Sequence, residues 1–193
     1  MDTLLELEWA YLPLLDYSER PVKVLLRALA NQPALFVQML CAIFKPSEDS
    51  GIQEPEPQDP EHAQALAMHA YELLRLWDRL PGTREDGTID AKELESWVKE
   101  ARQLAQAAGR QEIADDQIGQ MLSASPMGAD GQWPTEAVRE VIDLFHSPSM
   151  LEGFRIGKYN RRGVTTKMLR DGGKLERQEA AKYRGWAKAM ECE

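Results

Sequence analysis

Residues 45–61, KPSEDSGIQEPEPQDPE, hold four prolines and six acids in 17 positions. Proline has no backbone N–H and clashes with the preceding helical turn, and so acidic a stretch has almost nothing to bury. No helix can run through it and no core can be built from it. The chain is therefore expected to divide here, into an N-terminal helical segment at 1–44, a linker at 45–61, and a larger body after it.

Before the linker, SERPVKVLLRALANQPALFVQMLCAIFKP predicts two short helices. Ser18 is placed to cap the first, with Pro21 in its first turn, and Val22, Leu25, Leu26 and Leu29 share one face. Asn31 before Pro33 ends it, and Pro33 can open the second. That second helix carries Leu35, Phe36, Met39, Leu40 and Phe44, so it must be covered on most sides. Its apolar run at 34–44 falls short of the ~18–20 residues of a membrane span. The first residues carry acids and no basic leader, unlike a signal peptide. Cys41 lies inside the apolar run and Cys192 at the far end, a pattern of reduced thiols rather than a disulfide framework, which predicts a cytoplasmic protein.

After the linker, apolar spacing predicts helices at about 61–80, 90–108, from near 115, from 134, from about 150 to 160, and at 174–190. The fold class is thus all-α: a short N-terminal helical pair, a helical domain over 62–148, and a helical segment over 149–193. Trp77, Leu94, Trp97, Met121, Val138 and Phe145 are its candidate core, with Leu66, Tyr71 and Leu74 facing it from the first long helix.

Two Asp-Gly turns mark the domain. EDGTIDAKELESWV and ADGQWPTEAVREVI each stand between helices, and Gly87 and Gly131 lie 44 residues apart. An aliphatic or aromatic residue, Ile89 or Trp133, follows each glycine by two positions. The arrangement over roughly 66–146 resembles a degenerate EF-hand pair, which implies two helix-loop-helix units with Ile89 and Trp133 pairing through their backbones. Calcium needs several converging oxygens. Counted back from Gly87, Gly82 and Arg84 fall on ligand positions, and only Asp86, Asp90 and Glu93 remain. The second loop keeps Asp130 alone, beside Pro126, Gly128, Pro134 and Ala137. Both turns are therefore expected to be structural, with Asp90 and Glu93 forming a capping box and no metal or other cofactor bound. A single-site calcium sensor using Asp86, Asp90 and Glu93 is the weakest of the functional alternatives.

The net charge of −9 conceals an asymmetry: residues 151–193 carry 11 Lys/Arg and 6 Asp/Glu, leaving a strongly acidic body. In that basic tail Arg161, Arg162, Lys174, Arg177 and Arg184 are interleaved with aromatics, as phosphate contacts would be. A solvated face is the simpler expectation, because the charges are spread around the last helix. Asn160-Arg161-Arg162-Gly163-Val164, Gly172-Gly173, Glu176-Arg177, Ala180, Tyr183-Arg184 and Trp186 resemble the C-terminal region of long uncharacterised bacterial proteins. That resemblance implies an excerpt or a truncated relative of a longer chain.

No catalytic pattern emerges. The chain has no Gly-x-Ser-x-Gly, no phosphate loop and no dinucleotide fingerprint. His62 and His69 lack a third ligand nearby, His146 reads as a helix C-cap, and Cys41 is set among Phe36, Leu40 and Phe44. The expectation is a non-enzymatic interaction or scaffold module of a larger bacterial assembly, without a membrane. Its partner would be another protein or further stretches of a longer chain. Nucleic-acid or phosphate binding through the tail is the alternative.

Overall fold

A computed structural model of the chain describes residues 3–17, 22–161 and 173–190. Among the described residues the fold is all-α, with helices α1 (Thr3–Tyr17), α2 (Lys23–Asn31), α3 (Pro33–Ile43), α4 (Pro60–Arg75), α5 (Ala91–Ala107), α6 (Gln111–Leu122), α7 (Glu136–Phe145), α8 (Pro148–Asn160) and α9 (Lys174–Met190). No single helix among them is long and apolar enough to cross a membrane.

The N-terminal pair is α2 and α3, which bend by 106° at the break between them. Ser18 and Pro21, the expected start of α2, lie outside the described residues. α2 itself has no side-chain cap of its own. Its first N–H groups are satisfied from α1 instead: the Glu8 carboxylate accepts from the amides of Val24 and Leu25, each at 2.9 Å. A carboxylate at a helix N-terminus answers both the orphan donors and the macrodipole. The sequence pattern does not disclose this helix ahead of the pair, because TLLELEWAYLPLLDY is apolar on too many sides to reveal one face.

The acidic stretch does not separate one core from another. A single cluster joins Leu12 and Phe36 to Leu94, Trp97, Ile118 and Met150. The Phe36 ring lies 5.3 Å from both Trp77 and Trp97, which are themselves 5.4 Å apart. α3 needs cover on more sides than α2 can give, so α4 and α5 close over it. The stretch becomes a strap along the body: the Ser47 amide donates to Gly109 O at 2.9 Å, and buried Arg110 reaches Phe44 O at 2.8 Å and the Glu54 carboxylate at 2.6 Å. Composition announces that a segment is not helical; it does not announce that the flanking helices pack apart.

α5, α7, α8 and α9 keep close to their expected bounds, whereas α6 starts at Gln111 rather than near 115 and α4 stops short of 80. Asp59 caps α4, Asp90 caps α5 and Ser147 caps α8, each through its side chain. α4 ends at Arg75, and Trp77 and Leu80 continue into the core from the turn after it. Tyr71 is exposed rather than buried, and Phe145 only half-buried. α6 and α8 cross at backbone contact. A Cβ added at Gly119 would collide with the Met150 carbonyl, one at Gly153 with the Asp116 carbonyl, and one at Gly157 would meet Gln120 O at 2.7 Å.

Candidate functional site

The resemblance to an EF-hand pair rests on the two Asp-Gly loops. In the first, Gly82 adopts φ +72 and a Cβ there would stand 2.7 Å from Asp90 O, so glycine is required. The Asp90 amide donates to Gly82 O at 2.9 Å and Thr83 bridges to Ile89. Asp86 accepts from the Thr88 hydroxyl at 2.6 Å and the Thr88 amide at 2.9 Å, and these bonds hold its carboxyl below the usual aspartate range. Asp90 accepts the Lys92 and Glu93 amides at the head of α5 and pairs with Arg84. The Glu93 amide, and after it the Arg84 guanidinium, lowers its pKa. The second loop repeats the device. Asp130 accepts the Gln132 amide at 2.9 Å and pairs with Arg139, and both lower its pKa, the amide first. Arg139 also donates to Pro134 O at 2.6 Å.

Two expectations are corrected here. Ile89 pairs across its own loop, and among the described residues no backbone bond joins it to Trp133. The Trp133–Pro134 peptide is cis, and Trp133 fixes its indole by donating to Ser125 O at 2.7 Å. The capping box is half formed, because the Asp90 amide that Glu93 would have met is used by Gly82. Each loop holds a guanidinium on its acid. Among the described residues no group of three or more His, Cys, Asp or Glu is arranged to hold a metal.

The basic tail is also rearranged by folding. Arg161 turns inward, donating to Ser123 Oγ at 3.2 Å and Trp77 O at 3.1 Å, so it ties the end of α8 to α6 and the loop after α4. Arg162 lies outside the described residues. Lys174 opens α9, on which Arg177 and Arg184 are exposed. Arg161, Arg177 and Arg184 do not line the cleft at this end of the molecule.

A different set of tail residues does. Between the end of α7, α8 and α9 lies a cleft of about 920 Å³. Trp133 stacks on Phe154 at 5.2 Å and packs on Trp186 at 4.4 Å, and Tyr183 meets Trp186 edge-on at 5.2 Å. Lys158 Nζ sits 4.2 Å from the Trp133 ring centre and 4.4 Å from that of Trp186, with Lys182 Nζ 4.5 Å from the same indole. Helical spacing sets half of this: Phe154 and Lys158, like Lys182 and Trp186, are four apart and share a face. Burial pushes the Lys158 ammonium down, and the nearby Lys182 and Arg161 cations push it further. Asp143, His146 and Arg155 stand at the rim. His146 closes α7 at φ 44, a left-handed position that glycine usually fills.

No family model, curated protein or solved structure matches the chain.

Arg102, Asp115, Ser147 and His69 are spent on the fold. Arg102 grips Asp115 with two bonds of 2.7 and 3.0 Å, lies 4.7 Å from the Phe145 ring centre, and leaves Asp115 to take a third bond from Ser147 Oγ at 2.7 Å. His69 packs edge-on against Trp9 at 5.5 Å, while His62 is exposed. Burial pushes the Cys41 thiol up, which keeps it protonated. Cys192 lies outside the described residues. The Trp133–Trp186 contact is the feature that linear spacing does not expose. The two Lys–aromatic spacings are visible, but Trp133 and Trp186 come from distant stretches of the chain.

Proposed function

We propose that the protein is a non-enzymatic helical interaction module of a larger protein or assembly, and that the α7–α8–α9 cleft docks an acidic partner segment with apolar anchors. The observation that carries this reading is Lys158, an ammonium resting against the paired indoles of Trp133 and Trp186, with Lys182 on the second of them. The cleft is thus apolar over most of its lining, with Lys158 and Arg155 as its cations and Asp143 as its acid, and has a size suited to a few side chains. Cys41 supports it as well, because burial holds it as a thiol. The EF-hand-like loops then act as scaffold, and a bacterial, cytoplasmic setting belongs to the same reading on sequence grounds.

Selection from a random displayed-peptide library tests it. Wild-type protein is expected to enrich sequences that place Asp or Glu beside proline or large apolar residues, and Lys158→Glu to lose them. Enrichment of basic or charge-indifferent peptides would overturn the reading. A polyanion is the competing occupant. Single-stranded nucleic acid bound more tightly than the selected peptides, with a steep loss of affinity in salt, would overturn it in favour of phosphate binding.

A further inference from the structure

The acidic, proline-rich strap is itself a segment of the chemistry the cleft calls for. We propose that residues 55–58 of one copy, flanked by Glu54 and Asp59, seat in the α7–α8–α9 cleft of a second copy, an inference that rests on the cleft being a docking site for acidic segments.

Every residue from 51 to 59 is exposed on its own molecule. The stretch carries Glu54, Glu56 and Asp59 around Pro55 and Pro57, with no lysine or arginine. Prolines fix the backbone in an extended form and remove its donors, so the segment loses little freedom on docking. Proline-rich segments of this kind are recognised by aromatic-lined grooves, where proline rings pack on aromatic faces. The cleft supplies Tyr183 and Trp186 for such packing.

Charge makes the match specific. Lys158 and Lys182 approach the same indole, and their mutual repulsion contributes to lowering the Lys158 pKa. Lys158 lines the cleft, and a carboxylate seated beside it there offsets that repulsion. Glu56, held between Pro55 and Pro57, is the acid best placed to supply it. Glu54 already pairs with Arg110 and Asp59 caps α4, so both flanks of the segment stay fastened to their own body while the residues between them reach outward. The contact therefore joins the strap face of one copy to the cleft face of the next. Two unlike patches meeting this way form a head-to-tail association, weak because the segment is short, and open to further copies.

Sedimentation velocity from micromolar to millimolar protein, at low and high salt, reads this directly. Wild-type protein is expected to shift from monomer to larger species as concentration rises, and less so in high salt. Lys158→Glu and Glu56→Lys should each weaken association roughly tenfold, as loss of an ion pair and its reversal to repulsion imply. Glu56→Lys should keep the wild-type melting temperature, and Lys158→Glu should keep the wild-type helical circular dichroism at the assay temperature. The double variant K158E/E56K restores opposite charges and should associate again. A monomer at every concentration, association that survives Lys158→Glu, or a double variant that stays monomeric would each overturn the proposal. If library-selected acidic peptides still bind the wild-type cleft in that event, the docking site stands and only its occupant changes.

Discussion

The Trp97 indole N–H donates to the backbone carbonyl of Leu29 at 3.1 Å, across 68 residues of chain and from one side of the acidic strap to the other. Both groups are buried, so neither has water as an alternative partner. The bond locks α5 to the end of α2, and the Phe36–Trp77–Trp97 cluster beside it fills the space between.

That arrangement predicts a single cooperative unit. Urea unfolding monitored by tryptophan fluorescence and by far-UV circular dichroism should give one common midpoint. Phe36→Ala should lower stability by about 4 kcal/mol, the usual cost of emptying a buried ring site, and shift both signals together. Two separate transitions, with only one moved by the substitution, would show that the strap divides the molecule after all.

The crossing of α6 and α8 offers a paired test. Gly153→Ala places a methyl group on the Asp116 carbonyl and should cost about 3 kcal/mol through forced backbone movement. Gly185→Ala, in α9, meets nothing within 4 Å and should stabilise by roughly 0.5–1 kcal/mol through helix propensity. Equal melting temperatures for the two variants would refute the close crossing.

How far the fold is legible in the chain depends on where each cause lies. Asp90 and Pro33 act on residues close by in the chain, and the helix starts they mark appear where expected. α1 is hidden because its reason is Glu8, which works across space on α2. Composition marks the strap as non-helical but overstates it as a divider, since only the three-ring cluster decides that. The cleft is half legible: Lys158 stands four residues after Phe154, but nothing near position 133 points to position 186. Arg161 looks available for phosphate because its inward bonds run to Trp77 and Ser123, both far away in sequence.

Calcium at millimolar concentration should leave the melting temperature where magnesium leaves it. Asp86 and Asp90 are engaged with Thr88, with the head of α5 and with Arg84, so binding an ion would mean giving up those bonds. Removing the guanidinium is the sharper probe. Arg84→Ala should produce at most a slight calcium response, because two carboxylates and Glu93 are too few for a tight site. A calcium-specific rise in the wild-type protein would sink the structural account of these loops.

Lys158 should leave a mark on the alkaline side of the stability profile. Its folded pKa lies below the ordinary lysine value, so between the two the unfolded chain holds more protons than the folded one. Stability contributed by this site therefore rises with pH across that window, up to about pH 10.4. In Lys158→Met that rise is absent. Urea midpoints of both proteins at neutral pH and near the top of the window give the comparison. A gap between wild type and variant that stays constant with pH would contradict the burial of this ammonium.

The glycine crossing also sets where the chain can change length. One residue inserted into α8 ahead of Gly153 would rotate the two ends of the helix by about 100° relative to each other. It would bring Glu152 or Phe154 onto the Asp116 carbonyl, where the structure has room for no side chain at all. The strap is fastened only at points, through Ser47, Glu54 and Asp59, and can grow between them without disturbing the core. Related chains, and engineered ones, should therefore accept extra residues between 55 and 58 and none within α6 or α8.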